Sequence, residues 1–232
     1  MSPLDDATLR EHLGADAEAF RECLDGDLSA PVAACPGWDV AALASHLGRV
    51  HRWATAALRS DDEPAFAPRP GSAPLATWYA EGAAALLGEL TARDPAQPCW
   101  TLWPPAVVGF WGRRQALETL VHRWDAQSAL GRPAVIDPDL AADGVGEVVE
   151  VMLPRQVALG RQAALPVALE LRAGGQSWVL GAGERAVLTA TAADLLLLLW
   201  KRRTLAQVLA AGGTLTGPTS VAETVLAAAL TP

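Results

Sequence analysis

Two short segments hold the residues best able to do chemistry: His46 in SHLGRVHRW, and Glu118, His122 and Asp125 in ETLVHRWDA. The second segment reads as a helix. Glu118 and His122 stand four residues apart, so a carboxylate and an imidazole leave the same helical face one turn apart. That is a two-point clamp for a divalent metal, and His46, on another expected helix, could supply a third ligand. Three protein ligands with one position open is the layout of a catalytic zinc site, whereas a structural site is closed by four. Taken alone, Glu118–His122 is also an ordinary helix-surface pair, and His46 alone reads as a core histidine bonded to a carbonyl.

The neighbours of these residues carry weaker signals. Asp125 stands about one turn further on, where it either orients His122 or is solvated. His51 is five residues from His46, about 140° around a helix of 3.6 residues per turn. It is expected in the core or at a rim, not on the same ion. His12 reads as a surface residue. Cys35 has no histidine or cationic cluster close in sequence and reads as structural. Arg113 and Arg114, a turn before Glu118, read as a solvated helix face, the alternative being contact with a thiol cofactor. Trp53 and Trp124 are either core anchors or pocket walls.

These side chains need helices to position them, and the hydrophobic spacing provides four. Leu9, Leu13, Phe20 and Leu24 predict an amphipathic helix over 5–25. Pro36 and Gly37 make ACPGW a turn, after which Asp39 can cap a helix turning Val40, Leu43, Leu47, Val50, Ala54 and Leu58 inward. Residues 60–74, rich in Asp, Pro and Gly, are expected as a loop. Leu75, Trp78, Tyr79, Gly82, Leu86 and Leu90 mark a third helix. After a Pro- and Trp-bearing link over 94–105, a fourth runs over 110–130 until Gly131 and Pro133 stop it. Four helices joined in this way suggest a bundle.

The second half changes character. Residues 137–160 read as a linking helix. VALELRAGGQSWVL alternates and then turns at Gly174–Gly175, a hairpin signal, and RAVLTAT gives a third short strand. Thr191 with Asp194 starts a capping box for the helix ADLLLLLWKRR, and Ser220 with Glu223 repeats the device before VLAAAL. The expected fold is mainly α with α+β: a four-helix bundle over 1–145 and a small α/β domain over 146–232.

Composition narrows the class. The 232 residues carry a net charge of -8, and no Lys/Arg run lies along one face, which argues against a nucleic-acid partner. A bias to Ala, Arg and Leu with a single Lys points to a high-GC bacterial genome. Three widely spaced cysteines fit free thiols in a reducing cytoplasm better than a disulfide framework. The N-terminal MSPLDDATLREHLG reads as charged and helical, not as a secretion signal. The longest apolar run, Leu195 to Trp200, is too short to span a bilayer.

CPGWDVAALASHLGRVHRW, RRQALETLVHRWDA and DLLLLLWKRR follow, in this order, the pattern of a known family. Over nearly its whole length the chain resembles the mycothiol-dependent maleylpyruvate isomerases of the DinB-like superfamily. The resemblance implies a DinB-like bundle followed by a smaller α/β domain. It implies a metal, usually zinc, on His46, Glu118 and His122, and mycothiol, the actinobacterial thiol, as cosubstrate. It also implies an assisting arginine from the C-terminal domain, matched by Arg203 or Arg202.

The expected function is a metal-dependent enzyme of thiol transfer or thiol-assisted cis–trans isomerisation of a small electrophilic substrate, with the pocket between the two domains. Zinc lowers the pKa of a bound thiol, and an arginine holds a carboxylate by two parallel hydrogen bonds. Two alternatives stand beside it: a non-catalytic metal- or ligand-binding module on the same scaffold, and a metal-dependent hydrolase using zinc-bound water. The protein is expected to be a cytoplasmic monomer or homodimer.

Overall fold

Local start and stop signals place the elements, and burial then selects their faces. The structure, a computed structural model, describes residues 4–69, 71 and 74–232. Met1–Pro3 of the N-terminal reading and Pro70, Ser72 and Ala73 of the expected loop lie outside the described residues. The chain forms two units, residues 4–135 and 136–232.

The first unit holds four helices: α1 (Asp6–Cys23), α2 (Val40–Ala57), α3 (Leu75–Ala92) and α4 (Val108–Ala129). Asp5 caps α1 through Thr8 N, and Asp39 caps α2 through Ala42 N at 2.7 Å, each carboxylate satisfying an otherwise unpaired helix-start amide. α1 packs on α4 and on α3, and α2 packs on α3 and on α4, closing a bundle. Phe20, Leu43, Leu47 and Tyr79 meet in its core, with the Phe20 and Tyr79 rings 4.8 Å apart. α4 is the central helix: Trp111, Leu117, Leu120 and Val121 are buried, but so are Arg114, Thr119, His122, Arg123 and Asp125. A helix buried all round has no polar stripe. The polar groups it carries therefore need partners inside the fold.

The second unit begins with α5 (Pro138–Glu147), which passes through one π-helical turn over Val148–Met152 into α6 (Leu153–Ala158). Pro154 follows that wide turn; proline cannot donate the ordinary helical bond, and a π turn absorbs its misfit. Strands β1 (Val167–Ala173), β2 (Gln176–Leu180), β3 (Glu184–Thr189) and β4 (Thr214–Thr216) form one sheet in the order β2-β1-β3-β4. The expected hairpin joins β1 to β2. The third strand is parallel to β1 instead of continuing the meander. The loop from β2 to β3 therefore crosses the start of β1, and it does so on glycine. A Cβ on Gly181 or Gly183 would stand 2.1 Å or 2.5 Å from the Val167 or Pro166 carbonyl oxygen, and both residues have positive φ, open at no cost only to glycine.

Helices α7 (Ala192–Leu199), α8 (Leu205–Ala210) and α9 (Thr219–Ala227) complete the unit. Thr191 caps α7 as expected. The Ser220–Glu223 cap is not formed: α9 starts at Thr219 with Pro218 before it and no side-chain cap. The reciprocal capping box occurs at Thr204 and Gln207. α7 stops at Leu199, before Lys201, whose φ of 60° turns the chain, so Arg202 and Arg203 follow the helix instead of ending it. Among the described residues no helix is long and apolar enough to cross a membrane.

Candidate metal centre

α2 and α4 carry the three expected ligands, and their packing brings them together. His46 Nε2 lies 3.4 Å from Glu118 Oε1, and His122 Nε2 lies 3.2 Å from the same oxygen. One ligand atom from each residue falls within 4.8 Å of the others. Around a tetrahedral zinc ion with bonds of about 2.0–2.1 Å, neighbouring ligand atoms stand roughly 3.3–3.4 Å apart. The donor set therefore fits a divalent cation by type and by spacing. The side chains of Glu118 and His122 are 14% and 8% exposed and that of His46 is 30% exposed, so the group is sheltered at α4 and reachable beside α2. The Trp38 ring lies 5.0 Å from that of His46.

Buried partners hold two of the three ligands. Asp125 Oδ2 is 3.0 Å from His122 Nδ1, and the Asp125 side chain is fully buried. The Asp125 carboxylate is therefore not solvated, and its contact with Nδ1 leaves Nε2 facing Glu118. Arg114, 4% exposed, donates to Glu118 Oε2. Its expected place on a solvated face is thus corrected: α4 is enclosed on that side, and the guanidinium is paired with the carboxylate one turn away. The i,i+4 spacing that links Glu118 to His122 equally links Arg114 to Glu118, so the signal was available in the sequence.

The charges reinforce one another. Burial opposes the ionised form of Glu118, but the Arg114 charge and then His122 hold its carboxyl well below the usual range. Burial likewise opposes a charged His122. The Glu118 charge and hydrogen bonds to Asp125 and Glu118 outweigh it and raise the imidazole to about 9. His51 is in the core and outside the group: its Nε2 lies 2.9 Å from Thr119 Oγ1, and burial pulls it down to about 3.

One further expectation changes. Cys35 is not remote from histidine: its Sγ forms a second group with His122 and Asp125, their ligand atoms within 4.8 Å of one another. The turn before α2 produces this proximity, which sequence distance hides. Trp53 joins an aromatic cluster, its ring 5.4 Å from Trp100 and 5.3 Å from Trp111. In the other unit, Arg203 Nη1 donates to Asp194 Oδ1, and Arg202 Nη1 donates to the Trp200 carbonyl at 2.7 Å.

Residues 9–127 match the family description "Mycothiol maleylpyruvate isomerase N-terminal domain", and residues 139–223 match the C-terminal domain of the same family. No curated protein matches the chain. Two crystal structures of mycothiol-dependent maleylpyruvate isomerase share the fold. One, of a histidine-to-alanine variant, has a TM-score of 0.65 at 12% identity, covering 85% of this chain and 91% of that one. The other has a TM-score of 0.62 at 13% identity, with the same coverage.

Proposed function

The chain belongs to the mycothiol maleylpyruvate isomerase family, and we propose that it is a metal-dependent isomerase using mycothiol on a small cis-unsaturated keto acid of the maleylpyruvate type. The observation that carries this reading is the spacing of His46, Glu118 and His122, two donor pairs at 3.4 and 3.2 Å. These three residues would hold the ion, zinc being the divalent metal such N/O donors suit. A cation there lowers the pKa of a bound thiol and so makes a nucleophile at neutral pH.

The chain's own residues do the rest. Glu118 presents one oxygen inward because Arg114 holds the other. His122 presents Nε2 because Asp125 holds Nδ1. His46, the most exposed of the three, leaves the approach beside it for thiol and substrate. The thiolate adds to one carbon of the double bond while the π pair moves onto the conjugated carbonyl oxygen, the remaining single bond rotates, and return of that pair re-forms the double bond and expels the thiolate with its own electron pair. No atom is gained or lost, so the reaction needs no redox partner.

The test is zinc content and turnover together. Protein purified without chelator should bind zinc and isomerise the keto acid only when mycothiol is present. His122→Ala should lose both properties, and His51→Gln should keep both. Zinc binding unchanged in His122→Ala would overturn the centre. Turnover independent of thiol would instead favour a hydrolase-like use of the site. One observation favours the non-catalytic alternative: Arg203 is already paired with Asp194, so a carboxylate clamp has to compete with that pair. Ligand-induced stabilisation without turnover for any thiol would decide for a binding module.

A further inference from the structure

The imidazole of His122 faces two donor sets, and only one of them belongs to the function above. Glu118 and His46 stand on the Nε2 side. Asp125 Oδ2 lies 3.0 Å from Nδ1, and Cys35 Sγ, Asp125 and a ring nitrogen of His122 form a group whose ligand atoms are all within 4.8 Å of one another. The turn holds Cys35 there through both its backbone groups: its N–H donates to Val32 O at 3.0 Å, and its carbonyl accepts from Trp38 N at 2.9 Å. His122 and Asp125 are buried and Cys35 is half-buried. Thiolate, imidazole and carboxylate together select thiophilic ions, in contrast to the sulfur-free set on the Nε2 side.

We propose that Cys35, His122 and Asp125 form a second metal position for a thiophilic ion, alternative to the first and not filled together with it. The exclusion follows from the ring. A neutral imidazole has one N–H and one lone pair. While Nδ1–H is donated to Asp125, Nε2 is the ligand and faces Glu118. An ion held by Asp125 takes instead the nitrogen that faces this carboxylate, Nδ1. The thiol proton and the proton on Nδ1 are displaced by the ion, and the one proton left on the ring sits on Nε2, where Glu118 Oε1 at 3.2 Å accepts it. A soft ion would thereby remove His122 from the first position. The existence of the second position stands on its own donors; only the competition rests on the proposed catalytic centre.

Cadmium(II) is the probe, added to the metal-free full-length protein and followed by sulfur-to-cadmium charge-transfer absorption in the near ultraviolet. The band is expected in the wild type and in His46→Ala, and is expected to be lost in Cys35→Ser. Iodoacetamide labelling of Cys35, located by mass spectrometry in the wild type, should be lost on cadmium saturation; this measurement does not depend on a variant folding. No band in the wild type, a band that survives in Cys35→Ser, or labelling of Cys35 unchanged by cadmium overturns the proposal. Failure of the catalytic centre reads differently: zinc binding would be unaffected by His46→Ala while the cadmium band stayed intact.

Discussion

The buried ion pair between Arg114 and Glu118 fixes which carboxylate oxygen faces the histidines. A carboxylate freed from that pair can rotate or bind both oxygens to the ion. Residues that orient metal ligands in this way change metal affinity by about 10- to 100-fold when removed. Arg114→Met should therefore weaken zinc binding by about that range, measured by competition with a chromophoric chelator. Arg114→Lys should recover only part, because an ammonium keeps the charge but not the planar fork. The titration of His122 and His51 sets a pH signature for the metal-free protein. His122 is raised from 6.5 to about 9, so its contribution is full below about 6.5 and is lost as pH rises through 9. His51 is lowered from 6.5 to about 3. In that interval the unfolded chain binds the proton and the fold does not, so stability falls as pH drops below 6.5. Urea midpoints of metal-free protein should peak near pH 6.5. His122→Gln should flatten the alkaline limb and His51→Gln the acid limb; a midpoint still rising at pH 9 would contradict the His122 assignment, and one that does not fall between about pH 6 and pH 4 would contradict that of His51.

At the scale of the elements, α2 and α3 approach each other through Gly48. A Cβ there would stand 2.3 Å from the Trp78 ring, and that ring is itself held, since Arg52 lies over it at 4.1 Å and donates to the Trp78 carbonyl at 2.6 Å. Gly48→Ala should destabilise the bundle by about 1–3 kcal/mol through overpacking. Because His46 is two residues away on α2, zinc affinity should fall with it; an unchanged urea midpoint would mean that the ring moves freely. The capping signals read unevenly. Asp39 and Thr191 cap as their spacing implies, since an N-cap bond is made within four residues. Ser220 does not, because α9 already begins at Thr219, two residues before a Ser220 cap would start it, with Pro218 in the cap position.

Over the whole molecule, ligation should appear as stability. Zinc at a hundredfold excess over its Kd should add about 2.7 kcal/mol and raise Tm by roughly 5–10 °C for a chain of this size. His122→Ala should show no such shift in a thermal melt. Arg203 allows a further check. Arg203→Ala removes the cationic partner of Asp194, which keeps its bond from Thr191, and a loss of turnover with zinc content and circular dichroism intact would assign Arg203 to the reaction and not to its own domain's stability. The sequence by itself determined what is local: the four helices of the bundle, the caps of α1's successors at Asp39 and Thr191, the hairpin at Gly174–Gly175, and the Glu118–His122 pair. These depend on periods and bonds spanning a few residues. Only the tertiary structure decided that His46 meets Glu118 across 72 positions of chain, that Arg114 turns inward, that β3 runs parallel to β1, and that Cys35 stands beside His122. Each of those depends on which faces are buried and on how the elements cross, and burial is a property of the assembled fold and not of any one segment.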